Sequence, residues 1–194
     1  MATRIFLLDK SGSMEMQLED TIGGFNAFVR DQIPLGGTLS LYTFSDSCKC
    51  KYKDVPIEEV KLLTKDTYIP DGSTALYDAM GKILKDYANV EEGTFVVLTD
   101  GQENSSKHFT KNHVKDLIEM SKLDVIYVGV DLNDAVDMGI HSTLAYEGAR
   151  TPDIFRSVSE SVSANVLRRG QSQPVERVCS KGASDSKNRQ CTSQ

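Results

Sequence analysis

The chain has 194 residues, of which 39% are hydrophobic and 26% are charged, and its formal net charge is −6 at pH 7. This composition predicts one globular domain with a sizeable hydrophobic core, and no run approaches the roughly 18 apolar residues that a membrane span requires. The acidic balance argues against a surface that binds nucleic acid.

Strand-like and helix-like patterns alternate along the chain. Short apolar runs bounded by polar residues predict buried strands, and apolar residues at steps of three and four predict amphipathic helices. In chain order the predicted elements are a strand at 3–8, a helix at 15–33, strands at 38–44 and 48–55, a helix at 74–88, a strand at 94–99, a helix at 110–121, strands at 123–130 and 142–146, and a helix from 151 to about 167.

The first predicted helix shows a continuous apolar stripe. Five residues are expected to face the core: Leu18, Ile22, Phe25, Val29 and Ile33. Pro34 and the glycines that follow it end this helix. The segment at 48–55 alternates and is rich in lysine, which is typical of an edge strand reached through a hairpin.

Apolar strands that alternate with helices are typical of a parallel sheet covered by helices on both sides. The predicted fold class is therefore α/β, with a doubly wound, mostly parallel central sheet. We expect one domain over residues 1–168. Residues 169–194 have little apolar content and no periodicity, and the chain from Arg168 onward is basic, so we expect a flexible basic tail there.

Three polar clusters lie next to the predicted strands and helices. DKSGS at 9–13 follows the first strand, DGST at 71–74 precedes the helix at 74–88, and TDGQ at 99–102 follows the strand at 94–99. Open parallel sheets bind ligands beyond the carboxyl ends of their strands. The clusters would therefore converge if the first and fourth strands of the sheet are neighbours.

Each cluster also has an ordinary structural explanation. Asp, Ser and Gly favour turns and helix caps, so DKSGS alone could be a turn, DGST a helix N-cap and TDG a common loop. We expect Gly12, Gly72 and Gly101 to be turn glycines with positive φ. All three clusters occur in order at the matching ends of their elements, and this combination favours a shared metal site.

Converging oxygen donors without histidine or cysteine suit a hard cation, Mg²⁺ or Mn²⁺ rather than Zn²⁺. The candidate metal ligands are Asp9, Ser11, Ser13, Thr74 and Asp100. Only two of these side chains are carboxylates, so a bound divalent ion would remain electrophilic. An open coordination position would then attract a carboxylate from another molecule.

The three clusters resemble the metal-ion-dependent adhesion site of von Willebrand factor A (vWA) domains. That motif is DxSxS, then a Thr, then an Asp, each in its own loop. Asp9, Ser11 and Ser13 match DxSxS, and Thr74 and Asp100 match the later positions. The resemblance spans nearly the whole chain before the tail, and all five positions are present.

The resemblance implies a Rossmann-like sheet that is mostly parallel, with one short antiparallel edge strand and helices on both faces. It also implies that Ser11, Ser13 and often Thr74 bind the metal directly, while one of the two Asp residues acts through water. The implied function is protein binding or adhesion, in which an Asp or Glu of a protein partner completes the coordination of Mg²⁺. We expect no nucleic-acid or membrane partner.

The sequence leaves two alternatives to this binding role. Intracellular vWA proteins often serve as regulatory or scaffold subunits of larger assemblies, so the chain could be such a subunit. A phosphatase of the haloacid dehalogenase type also places an Asp beside Mg²⁺ after the first strand. That family needs a second Asp two residues later as general acid, and here the position is Ser11. We therefore do not expect an enzyme.

The remaining candidates are weaker. Cys48, Cys50, Cys179 and Cys191 lack the spacing of a zinc site, so we expect free thiols in a reducing compartment. The start of the sequence lacks the pattern of a signal peptide, and we expect a cytoplasmic location.

Several residues could surround the candidate site. Asp46 and Glu103 are expected near its rim, and Met14 and Met16 could form an apolar collar around a partner's carboxylate or belong to the helix core. The three histidines have no ligand spacing to one another and are interpreted as surface or packing residues.

Overall fold

The computed structural model describes residues 2–129, 132–145 and 151–171. The strands are β1 (Thr3–Asp9), β2 (Thr38–Phe44), β3 (Cys48–Pro56), β4 (Gly93–Leu98), β5 (Leu123–Gly129) and β6 (Ser142–Ala145). The helices are α1 (Leu18–Gln32), α2 (Leu76–Asp86), α3 (Lys111–Met120), α4 (Leu132–Asp137) and α5 (Thr151–Gln171), with 3-10 helices at Gly12–Gln17, Ile33–Leu35 and Ile57–Glu59.

The six strands form one sheet in the order β3-β2-β1-β4-β5-β6. All neighbouring pairs are parallel except β2 and β3, so the predicted antiparallel edge strand is confirmed. The chain leaves β1 toward β2 on one side and later returns through β4 on the other side. This reversal of direction makes the carboxyl edge between β1 and β4 the switch point where open sheets bind ligands.

Helices cover both faces of the sheet, as predicted. The helices α1 and α5 pack on one face, where the Phe6 ring lies 5.3 Å from Phe25 and 5.1 Å from Phe28, measured between centroids. The helices α2, α3 and α4 pack on the other face around buried residues such as Phe95 and Met80. The two apolar layers hold the central strands, and with them the loops at the carboxyl edge, in a fixed position.

The first helix differs from its prediction at both ends. Residues Gly12–Gln17 form a 3-10 helix, and α1 begins only at Leu18. Ile33 is 43% exposed, so the prediction that it faces the core is wrong. Ile33 opens a 3-10 helix that contains Pro34, and the tighter turn rotates its side chain out of the apolar stripe of α1.

Two further differences concern the second half of the chain. The sequence pattern does not predict α4, because six residues span fewer than two helical turns. The last helix extends to Gln171, where Arg169 pairs with Asp124 and donates a hydrogen bond of 3.1 Å to the Gly93 carbonyl. The expected flexible tail from residue 172, with Cys179 and Cys191, lies outside the described residues, and the domain boundary at residue 168 stays a prediction.

In these described ranges, no helix combines the length and apolar character that crossing a bilayer would take.

Candidate metal site

The five predicted metal ligands lie on three loops at the carboxyl edge of the sheet. Asp9 is the last residue of β1, and Ser11 and Ser13 lie in the turn and 3-10 helix that follow it. Thr74 precedes α2, and Asp100 follows β4 after one residue. The pairing of β1 with β4 therefore brings all three loops to one place.

Backbone hydrogen bonds tie the first two loops together. The Gly12 amide donates to the Gly72 carbonyl at 3.1 Å, and the Asp71 amide donates to the Lys10 carbonyl at 2.7 Å. Gly72 has a φ of 80°, as predicted for a turn glycine. The same prediction is wrong for Gly12 and Gly101, whose φ values are not positive, because neither residue needs the left-handed conformation to make its turn.

A chain of polar contacts links the DxSxS segment to the loop after β4. The hydroxyl groups of Ser11 and Ser13 lie 3.1 Å apart, and the Ser13 hydroxyl donates to Asp100 Oδ1 at 2.6 Å. The Ser11 amide donates to Asp9 Oδ1 at 2.6 Å. Side-chain oxygens thus link Ser11, Ser13 and Asp100, and the Ser11 amide connects Asp9 to them.

Thr74 joins this cluster from the third loop, next to Gly101. A methyl group placed on Gly101 would lie 3.0 Å from Thr74 Oγ1 and 3.7 Å from Asp9 Oδ2. The two oxygens therefore border the same small space, which a side chain at position 101 would fill. The donor set consists only of carboxylate and hydroxyl oxygens, and such a set fits a hard divalent cation.

Asp9 carries the strongest electrostatic signal of the site. Its side chain is fully buried, and Asp9 Oδ2 accepts a hydrogen bond from the Thr99 hydroxyl. Burial raises the pKa of the Asp9 carboxyl, and the hydrogen bonds from Thr99 and Ser11 counteract this only in part. The nearby Asp100 carboxylate raises the pKa of Asp9 further.

No basic side chain in the described part of the chain forms an ion pair with Asp9 or Asp100. A buried carboxylate without an opposite charge is costly, and a bound cation would remove that cost. Within the same ranges, no three His, Cys, Asp or Glu side chains gather at one point. A site built mainly from hydroxyl oxygens agrees with both observations.

The predicted rim residues have different roles. Asp46 accepts a hydrogen bond of 3.2 Å from the Ser73 amide, which places it at the edge of the site. Met14 is buried in the core, whereas Met16 is 96% exposed. Glu103 fixes its own loop and the start of α2 by accepting hydrogen bonds from the amides of Tyr77, Ser105 and Ser106.

The cysteines and histidines lie elsewhere. Cys48 and Cys50 are free thiols in β3, as predicted, and burial raises the pKa of Cys48 to about 12. His113 accepts a long hydrogen bond of 3.5 Å from the Thr110 amide within the N-terminal cap of α3. The other two histidines are exposed on the surface.

No protein-family model and no curated protein sequence matches the chain. Solved structures do match it. Proximal thread matrix protein 1 from the mussel byssus, in a form with a zinc-occupied MIDAS motif, has a TM-score of 0.59 and 19% identity over 86% of this chain and 45% of its own. A von Willebrand factor type A protein from Catenulispora acidiphila has a TM-score of 0.58 and 14% identity over 83% of this chain and 42% of its own.

A third structure, the vWF domain of the type V pili tip protein Mfa5 from Porphyromonas gingivalis, has a TM-score of 0.58 and 11% identity over 85% of this chain and 96% of its own. The chain has the von Willebrand factor A fold. Identities this low show the fold alone. The chain spans less than half the length of the mussel and Catenulispora proteins.

Sequence reasoning missed the residues that position the candidate ligands within the vWA fold. The Tyr68 hydroxyl donates to the Asp9 carbonyl, and Thr99 donates to the Asp9 carboxylate. Asn104 binds Thr74 on both sides, because Asn104 Oδ1 accepts from the Thr74 amide at 2.9 Å and the Asn104 amide donates to the Thr74 carbonyl at 3.0 Å. Thr99 begins the TDG loop and Asn104 lies five residues later, so both had a sequence signal beside that motif, whereas Tyr68 had none.

The Thr99 hydroxyl is expected to orient Asp9 for metal binding. Replacing it with valine keeps the volume and removes the hydroxyl that donates to Asp9 Oδ2. Groups that orient metal ligands typically contribute about tenfold or more to metal affinity, so we expect Thr99→Val to weaken Mg²⁺ binding by about tenfold in calorimetry.

Thr43→Val is the matched control. Thr43 lies on β2 beside Leu8 of β1, and its buried hydroxyl has no hydrogen-bond partner among the described residues. Its replacement should leave Mg²⁺ affinity unchanged. Equal affinities for the two variants would contradict the positioning role of Thr99.

The second prediction concerns pH. Because burial raises the pKa of Asp9 above the ordinary value of 3.8, protons should compete with the metal at a higher pH than at a site of exposed carboxylates. We expect Mg²⁺ affinity, measured by calorimetry, to fall as the pH is lowered, and the fall should begin at a higher pH than the titration of a carboxyl with the ordinary pKa of 3.8. An affinity that falls only near the ordinary pKa of 3.8 would contradict the raised pKa.

In the metal-free protein, the contribution of Asp9 to folding stability should depend on pH in the opposite direction: it should increase as the pH is lowered. The buried Asp9 carboxyl favours its protonated form, so its contribution to stability is present below the pKa of the unfolded chain and is lost as the pH rises through the raised pKa of the folded state. The difference in melting temperature between the wild type and Asp9→Ala in EDTA, followed against pH, separates this contribution from that of carboxyls such as Asp78, whose pKa is lowered.

Proposed function

We propose that the chain is a divalent-metal-dependent protein-interaction module. The ion, Mg²⁺ or Mn²⁺, would be held by the five side chains named from the sequence, and an Asp or Glu of a protein partner would complete its coordination. The observation that carries the proposal is the fully buried Asp9 carboxylate, which faces hydroxyl oxygens and a second carboxylate, Asp100. A cation at this point would satisfy both acids.

The choice of ion follows from the donor set. Hydroxyl and carboxylate oxygens favour Mg²⁺ and Mn²⁺, and Mg²⁺ takes six oxygens at about 2.1 Å and often keeps water among them. The mussel byssus protein has a zinc-occupied MIDAS motif, so zinc is the competitor to include in a titration. The serine and threonine hydroxyls add no charge, so the two carboxylates only neutralise the divalent ion, and a coordination position held by water can accept a third carboxylate.

Binding is favoured over catalysis by what surrounds the site. The carboxylates of Asp9 and Asp100 are engaged by hydroxyl and amide donors, and the histidines lie on other parts of the surface. Position 11, where a haloacid dehalogenase phosphatase needs its general acid, is a serine. Incubation with p-nitrophenyl phosphate and Mg²⁺ tests the enzymatic alternative, and hydrolysis above the rate of the Asp9→Ala variant would support it.

The proposal includes a reducing, intracellular location. The free thiols of Cys48 and Cys50 support it, since thiols stay reduced in such compartments. The similar pilus tip domain makes an extracellular role the alternative, and fractionation of cells that produce the natural protein would distinguish the two.

The decisive experiment is partner capture with and without the metal. The immobilised chain should retain a partner from a lysate in Mg²⁺ and release it in EDTA, and Thr74→Ala should weaken capture more than it lowers the melting temperature. The acidic residues of the partner should then be replaced one at a time by neutral residues, and replacement at a single position should abolish capture. A partner held equally well in EDTA would contradict metal-mediated binding and favour the scaffold role.

A further inference from the structure

Two large apolar side chains on segments next to the candidate metal site are exposed to solvent. Met16 is 96% exposed and Ile69 is 62% exposed, and both belong to the loops that surround Asp9. Most other large apolar residues of the described chain are buried in the two core layers. Exposed apolar side chains beside a polar site provide contact area for a bound partner.

The position of Met16 follows from the 3-10 helix Gly12–Gln17. Side chains three residues apart eclipse one another in such a helix, so Met16 lies on the same side as Ser13, whose hydroxyl contacts Asp100 at 2.6 Å. Methionine is flexible and polarisable, and it adapts to apolar groups of different shapes.

Ile69 lies in the segment that packs against the DxSxS loop. The residue before it, Tyr68, donates its hydroxyl to the Asp9 carbonyl, and the Asp71 amide two residues later donates to the Lys10 carbonyl at 2.7 Å. These two hydrogen bonds hold the segment with Ile69 against the loop that carries the candidate ligands. Met16 and Ile69 together are called the apolar collar below.

The charged residues near the collar are mostly acidic. Glu15, Asp46 and Asp71 are exposed on the loops around the site. The basic residues nearby are Lys10 and Lys51, and Lys51 donates to the Thr67 carbonyl at 3.0 Å. A partner with several neighbouring acids would be repelled by this rim, even if one of its carboxylates reached the metal. The rim therefore disfavours acidic stretches and leaves apolar neighbours as the better match.

We propose that the site selects a single acidic residue with apolar neighbours, whose carboxylate reaches the metal while its neighbours contact Met16 and Ile69. This inference rests on the proposed function and specifies its partner: an isolated Asp or Glu within an apolar segment of a protein, and not an acidic tail. The metal attracts the carboxylate, and the collar distinguishes an acid with apolar neighbours from an acid with polar or charged neighbours.

A phage library of random nine-residue peptides with a central Asp tests this selection. Phage would be bound to the immobilised chain in Mg²⁺, eluted with EDTA and sequenced. We expect apolar residues next to the Asp to be enriched about fourfold, the ratio that burial of one methylene group gives, and further acids to be depleted.

Variants assign the preference to the collar. Met16→Ser and Ile69→Ser should each reduce the enrichment of apolar neighbours and leave Mg²⁺ affinity, measured by calorimetry, unchanged. Met120→Ser is the matched control, because Met120 is 80% exposed at the end of α3, at the amino edge of the sheet and away from the site. It should keep the wild-type preference.

The outcomes separate this inference from the proposed function. EDTA-sensitive binding of Asp peptides without an apolar preference, or with a preference that survives in the Met16→Ser, Ile69→Ser double variant, would overturn the collar alone. Failure of every peptide to bind in an EDTA-sensitive manner, while calorimetry still detects Mg²⁺, would overturn carboxylate completion itself and the collar with it.

Discussion

Replacing Asp9 with alanine is expected to abolish Mg²⁺ binding and to leave the fold intact. The Asp9 carboxylate is fully buried at the end of β1, where Asp100 provides the other carboxylate of the candidate site. The charge pair at issue is the Asp9 carboxylate with the bound cation, and removal of one partner from a buried pair of opposite charges typically costs about 3 kcal/mol or more, which corresponds to at least about a hundredfold loss of affinity. Calorimetry should show no Mg²⁺ heat, and circular dichroism should remain that of the wild type.

The stability of the same variant is informative as well. In EDTA, the wild-type protein keeps a buried carboxylate without a bound cation. Asp9→Ala removes this cost together with a few hydrogen bonds, so its melting temperature should be close to that of the wild type or higher. Added Mg²⁺ should raise the melting temperature of the wild type and not that of the variant.

Asp71→Ala is the matched control, because Asp71 is an exposed acid in a neighbouring loop. It should bind Mg²⁺ like the wild type. Retention of Mg²⁺ binding by Asp9→Ala would exclude the site as assigned, whatever the behaviour of the control.

The central strands could be predicted from the sequence because their signals are local. Runs such as those at 3–8 and 94–99 are apolar on both faces, and this pattern alone distinguishes a buried parallel strand from an exposed one. The order of the strands could be predicted only as a condition, namely that the first and fourth strands are neighbours. The sheet order meets that condition.

The limits of the helices were harder to predict because tertiary contacts decide them. Ile33 continues the apolar spacing of α1, yet the chain turns into a 3-10 helix with Pro34 and exposes it. At the other end of the chain, α5 continues past Leu167 to a polar segment, where Arg169 pairs with Asp124 of β5. An ion pair with a distant strand has no signal within the helix itself.

The candidate ligands could be predicted from three short motifs, but their supporting residues could not. Tyr68 reaches Asp9 across 59 positions, and Asn104 reaches Thr74 across 30. Such contacts depend on how the loops pack, and neither residue type has a fixed offset from the motif it supports. Only the three-dimensional structure shows that the Tyr68 hydroxyl donates a hydrogen bond to the Asp9 carbonyl and so fixes the loop.

The largest stability effect is expected from Gly24→Ala in α1. A methyl group placed on Gly24 would lie 2.1 Å from Cδ2 of the Phe155 ring, and two further ring atoms of Phe155 would lie within 2.8 Å. Phe155 is itself buried and stacks on Phe6, at 6.2 Å between ring centroids, so it has little freedom to move away. Alanine would therefore force α1 and α5 apart, and overpacking of this kind costs about 2 kcal/mol.

The neighbouring glycine separates this packing effect from helix propensity. A methyl group on Gly23 would meet no atom within 4 Å, so Gly23→Ala should gain about 1 kcal/mol from the better helix propensity of alanine. The midpoint of urea denaturation should thus fall for Gly24→Ala and rise for Gly23→Ala, although the two substitutions are adjacent and chemically identical. If both variants were stabilised, the close approach of α1 to α5 would have to be wrong, because propensity alone cannot distinguish neighbouring positions in the middle of one helix.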